Sequence, residues 1–177
     1  MLLPRLLVAA VIVSITAASP TCDDIQTRSA QDVIQALNLT ANVEKGYYVQ
    51  TYEDPGTIGN RSYSTAIYYL LEGSVGASYW HKLDATEVWH HYTGAPLRID
   101  LSWNNGSETR HRILGSDIFK GQSPQVAIEK QQWQRARSLG AWTLVGTTVA
   151  PGFDESGFEL ASADWSPNVG TGYPSKA

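Results

Sequence analysis

Seven short runs rich in Tyr, Val, Thr and Ile, each closed by a turn signal, constrain this chain more than any other feature. They span 47–52, 65–71, 87–92, 97–103, 110–114, 126–129 and 142–149. Between them lie Asp54-Pro55-Gly56, Gly73, Gly94-Ala95-Pro96, Asn104-Asn105-Gly106, Gly121 and Gly140. β-Branched and aromatic residues suit a pleated, half-buried surface, and Gly, Pro and Asn break it. Short strands at intervals of roughly 8–12 residues predict an all-β sandwich or barrel. Asn105-Gly106 adds a hairpin signal, since both residues tolerate positive φ. One stretch reads as helix, 29–39, where Val33, Ile34 and Leu37 share a face and Ser29 with Asp32 suits an N-terminus. No helix alternates with the strands, which argues against a doubly wound sheet.

The first residues read as a separate signal. Arg5 is followed by an apolar run, residues 6–15, interrupted only by Ser14, and then by Thr16, Ala17, Ala18 and Ser19. This is the anatomy of a secretory signal peptide over 1–18, and the run is too short to span a bilayer. No membrane span is expected after its cleavage. A segment 19–28 then precedes the folded domain, 29–162, and an irregular Gly-, Pro- and Ser-rich tail, 163–177. Secretion agrees with three N-x-S/T sequons at Asn38, Asn60 and Asn105. Asn60 and Asn105 sit among Gly and polar residues, where surface loops are expected. Cys22 is the single cysteine, so an internal disulfide framework is excluded and an intermolecular link is the role left to it. Lys and Arg number 13 against 17 Asp and Glu, a net charge of −4. A nucleic-acid partner normally calls for a basic face, so that class is set aside.

The residues able to carry chemistry are concentrated in 76–94, which holds three of the four histidines. Side chains alternate between the faces of a strand. If a turn folds the runs around His81 and Glu87 together, both point into one cavity. His91 shares the Glu87 face and His90 points away. A His beside a carboxylate works as general acid or base near neutral pH. No Gly-x-Ser-x-Gly nucleophile elbow and no glycine-rich phosphate loop is present.

This block resembles the first motif of cupins, a glycine followed by His-x-His, a Glu and a later glycine. The chain as a whole resembles a single-domain cupin subfamily. The matching stretches are Glu44-Lys45-Gly46-Tyr47-Tyr48, Gln50-Thr51-Tyr52, Ser64-Thr65-Ala66-Ile67-Tyr68-Tyr69-Leu70-Leu71, His81-Lys82-Leu83 with Thr86-Glu87-Val88-Trp89-His90, Trp133-Gln134, and Trp142-Thr143-Leu144-Val145-Gly146 with Val149-Ala150-Pro151-Gly152-Phe153. The resemblance implies a cupin jelly-roll β-barrel with a short N-terminal helix, and a homodimer. Metal-binding cupins use three imidazoles and one carboxylate. Here Leu83 stands at the second imidazole position and Gln134 at the third. Two strong ligands, His81 and Glu87, fall short of the three or four that zinc or iron sites normally need. The expectation is therefore no cofactor, with a divalent metal at His81 and Glu87 as the alternative.

The catalytic candidates are His81, Glu87 and Gln134. Tyr48, Gln50, Tyr52, Tyr69, Trp89, His91 and Trp133 are the candidates for substrate binding. Six Trp and nine Tyr against three Phe suit pocket walls that need polar tips, although plain barrel core accounts for any one of them. The function expected is metal-independent acid/base or templated chemistry on a small organic molecule: an isomerase, epimerase, cyclase or lyase. The alternatives are a non-catalytic small-molecule or sugar-binding cupin and a metal-dependent cupin oxygenase.

Overall fold

The computed structural model describes residues 25–168. The expected leader, Cys22 and the last part of the tail lie outside the described residues.

Helix α1 (Ala30–Ala36) starts where the Ser29–Asp32 pair predicts. Ser29 Oγ accepts from the Asp32 N–H at 3.2 Å, and the Ser29 N–H donates to the Asp32 carboxylate at 3.0 Å. This reciprocal pair satisfies donors that a helix start leaves open. The helix is shorter than the 29–39 expected. Asn38 takes a left-handed φ of 53°, which ends the helical path and turns the chain into a strand. Val33 and Ile34 pack with Leu70, Trp142 and Leu144, so α1 covers the outside of a sheet.

In chain order the strands are β1 (Thr40–Ala41), β2 (Tyr47–Glu53), β3 (Thr57–Ile58), β4 (Arg61–Ser62), β5 (Thr65–Glu72), β6 (His81–Leu83), β7 (Thr86–Gly94), β8 (Leu97–Ser102), β9 (Arg110–Leu114), β10 (Gln125–Ile128), β11 (Trp133–Ser138), β12 (Trp142–Ala150) and β13 (Phe158–Leu160). All seven expected strands are among them. One sheet runs β1-β2-β5-β12-β7-β10 and the other β13-β6-β11-β8-β9, with β3 and β4 forming a small hairpin. Every pairing between these strands is antiparallel. This is a jelly-roll sandwich.

Strand β11 escapes sequence reading for a physical reason. Its inward residues are Gln134, Ala136 and Ser138, all buried, and its outward ones include Arg135 and Arg137. An inner face built of small and polar side chains carries no hydrophobic alternation. Strands β6 and β13 are three residues each, too short for a periodic signal. The Asn105-Gly106 hairpin forms between β8 and β9, but through the longer loop 103–109.

Tyr69, Leu71, Trp89 and Val145 of the first sheet pack against Leu97, Ile99, Leu101 and Ala136 of the second. This core closes one end of the sandwich. The other end, near Thr65, Glu87 and Val149, is left open. After β13, the segment 161–168 crosses the outside of the second sheet. Trp165 stacks on Trp133 with ring centroids 4.3 Å apart and meets Trp80 edge-on at 6.1 Å. The Asn168 N–H donates to Asn104 Oδ1 at 2.7 Å, pinning the end of this strap.

Candidate functional site

The open end of the sandwich holds a cavity of about 350 Å³. His81 enters it from β6 and Glu87 from β7, so the two sheets each contribute one titratable side chain. Both residues are buried. The alternation expected from sequence therefore holds, and His90 points outward to a hydrogen bond with Gln125.

Glu87 Oε2 sits in a fixed set of donors. Trp89 Nε1 donates to it at 2.9 Å and Gln134 Nε2 at 2.7 Å, and the Thr147 hydroxyl is also bonded to the carboxylate. Burial pushes the Glu87 carboxyl above its usual range, while His81, Gln134 and Thr147 oppose the rise. Burial lowers the His81 imidazole, and the negative charge of Glu87 pulls it back up. Burial thus favours the neutral form of each group, while the charge of each favours the charged form of the other.

A third titratable group joins them that strand reading missed. Glu44 Oε2 lies 3.3 Å from His81 Nδ1, and burial pushes its carboxyl up to about 8. Glu44 belongs to the turn between β1 and β2, which has no periodicity to read. That turn is held from several sides. Lys45 and Gly46 take φ of 82° and 71° in succession. The Glu44 N–H donates to Asn42 Oδ1 at 3.0 Å, and the Glu44 carbonyl accepts from the Tyr79 N–H at 3.1 Å. Tyr69 Oη donates to the Lys45 carbonyl at 3.0 Å. The only sequence signal for Glu44 was its place in the Glu44-Lys45-Gly46-Tyr47-Tyr48 motif. Thr147 was also missed, as one of three threonines in β12.

The binding candidates divide. Tyr48, Gln50, Tyr69 and Trp89 line the cavity together with Leu83, Phe153, Glu155 and Phe158. Tyr69 is buried, and burial raises its hydroxyl well above the usual phenol range, which keeps it a neutral donor to Lys45. Gln134 acts from beneath through Glu87 and does not itself line the cavity. Three candidates stand outside the lining. Tyr52 is exposed and donates to Asp54 at 3.0 Å, because the β2–β5 register shifts between Gln50 and Tyr52. His91 keeps the parity of Glu87 but lies four residues further along β7, about 13 Å at strand rise. There its Nε2 is 3.3 Å from the Ala95 carbonyl. Trp133 precedes Gln134, so it faces the opposite way and carries the Trp165 strap. The sequon residues Asn38, Asn60 and Asn105 are all exposed.

A family model described as "Cupin superfamily (DUF985)", Cupin_5, matches residues 31–161. The chain belongs to this cupin family. A solved protein of Shewanella oneidensis, 32% identical, superposes with a TM-score of 0.71 over 76% of this chain and 85% of its own. A hypothetical protein from Leishmania major does so at 23% identity, with a TM-score of 0.69 over 75% and 86%. A variant of the oxalate decarboxylase of Bacillus subtilis shares the fold at 12% identity and a TM-score of 0.53, over 71% of this chain and 31% of that one. No curated protein matches the sequence.

The three-imidazole, one-carboxylate metal set of metal-binding cupins does not fit the residues of this cupin. Leu83 offers no donor, Gln134 supplies no imidazole and does not line the cavity, and His91 lies outside it. Among the described residues no group of three or more His, Cys, Asp or Glu is arranged to hold a metal ion.

Proposed function

We propose that this cupin moves protons on a small carbon acid inside the sandwich, without a metal, as an isomerase, epimerase, cyclase or lyase does. One observation carries the reading: His81 has two carboxyls about it in an open cavity, the half-buried Glu44 at 3.3 Å and the buried, electrostatically linked Glu87. A neutral imidazole next to a protonated carboxyl offers base and acid together near neutral pH. In the step proposed, the substrate C–H bond breaks and its proton passes to His81. The Glu44 carboxyl returns a proton to the substrate, and Glu87 stabilises the imidazolium that forms. The aromatic wall would hold a ring during this exchange. The leader expected over 1–18 and the three exposed sequons support a secreted or lumenal setting.

The test is deuterium uptake. A panel of keto sugars and β-keto acids is incubated in D2O and followed by proton NMR. The expected result is loss of one C–H signal with wild type, slowed by roughly 10²–10⁴ in His81→Ala or Glu87→Gln. Tight binding of a panel member with no exchange would favour the second reading, a non-catalytic binding cupin. The aromatic surfaces of Tyr48, Trp89, Phe153 and Phe158 support that second reading.

A further inference from the structure

The cavity wall has an unusual charge balance. Three carboxyls face it, from Glu44, Glu87 and Glu155, with His81 the one basic side chain. No Lys or Arg lines it among the described residues. The cations on neighbouring elements are held elsewhere. Lys45 Nζ donates to the Val75 and Ala77 carbonyls at 3.2 and 2.9 Å. Arg61 pairs with Asp84 at 2.9 Å and bonds the Gly152 carbonyl. Lys82 points outward to Glu159 at 2.7 Å and over the Trp133 ring.

An anionic ligand entering such a wall would lose its hydration and find no Lys or Arg to pair with, a cost that grows as the local dielectric falls. A cation meets the reverse. Glu155 is exposed at the mouth, while Glu44, its carboxyl at about 8, ionises readily when a positive charge approaches. Tyr48, Trp89, Phe153 and Phe158 present rings, which attract a cation across their faces.

We infer that the natural ligand of this cavity carries no anionic group and presents a basic nitrogen to Glu44 and Glu155, with a ring against the aromatic wall. This inference rests on the cavity being the functional site, and it narrows the substrate class. Phosphorylated, nucleotide-linked and carboxylate substrates are excluded by it.

Tryptamine, tryptophol and indole-3-acetate share one ring and differ in the charge of the side chain. Their binding to the whole protein is measured by calorimetry at pH 7. The amine is expected to bind ~10-fold tighter than the alcohol, and the acid weakest. Glu155→Lys, a change at an exposed residue that does not threaten folding, should bring amine and acid to within a few-fold of each other. Glu44→Gln should weaken the amine several-fold more than the alcohol. Binding of the acid as tight as that of the amine, an amine preference untouched by both substitutions, or no binding of any probe overturns the inference. No turnover is measured, so a protein that only binds would pass here and fail the deuterium test. An enzyme that exchanges protons on an anionic substrate would do the opposite.

Discussion

Gln134 Nε2 donates a 2.7 Å hydrogen bond to Glu87 Oε2 from the opposite sheet. Both residues are buried, so this bond ties the two layers together directly beneath the cavity. Leaving a buried acceptor without one of its donors costs about 1–3 kcal/mol. Gln134→Leu is expected to lower stability by about that amount, read as a fall in the urea midpoint at unchanged slope. A loss below about 0.5 kcal/mol would show that the bond contributes nothing net.

Stability should fall as pH rises through the range set by Glu44. Its folded carboxyl titrates at about 8, against an ordinary 4.5. Between those values the folded protein holds a proton that the unfolded chain releases. This contribution is full at low pH and lost as pH climbs, with a slope of at most about 1.4 kcal/mol per unit. His81, Glu87 and Tyr69 Oη surround the same space, so the slope is compared between wild type and Glu44→Gln. Urea midpoints from pH 5 to 8 should flatten in the variant.

Gly46 has no tolerated substitute. Its φ is 71°, and a Cβ there would lie 2.4 Å from the Leu70 carbonyl oxygen. Gly46→Ala must distort either the β1–β2 turn or the β5 backbone. A loss of about 2 kcal/mol or more is expected in thermal unfolding. Because the same turn carries Glu44, the pH slope described above should diminish as well.

Trp165 holds the C-terminal strap on Trp133 and Trp80, on the face of the second sheet away from the cavity. Trp165→Ala should release the strap and expose both rings. The expected signs are a red shift in tryptophan emission and a loss of about 1–3 kcal/mol in stability. Tryptamine binding should not change. A change in affinity would mean that the strap reaches the site.

If the chemistry runs without metal, chelation leaves it intact. Deuterium exchange should be equal before and after dialysis against EDTA, and added zinc or iron should not raise it. An activity lost with chelator and restored by one ion would overturn the metal-independent reading.

The all-β layered architecture was legible in the chain because its seven main strands each carry β-rich composition and a closing turn residue, both local properties, while the jelly roll itself was implied by the cupin resemblance. The pairing of His81 with Glu87 was legible for a similar reason, since strand parity is local and no irregularity intervenes between Glu87 and Trp89. Tyr52 shows where that logic stops: a register shift in β2 turned it outward, and nothing in Gln50-Thr51-Tyr52 announces the shift. His91 had the right face at the wrong depth, and depth depends on where the opposite sheet ends. Trp133 and Trp165 found each other because the tail folds back across a sheet, a contact that alternation does not encode. Glu44 is the residue that only the tertiary structure could place. A carboxyl in an irregular turn has no periodicity, and it becomes part of the site through Tyr69, Tyr79 and Asn42, which hold its backbone beside His81. Local chemistry in the sequence determined the layers and the facing pair. The shape of the cavity, and the three carboxyls that set its charge, were decided by long-range packing.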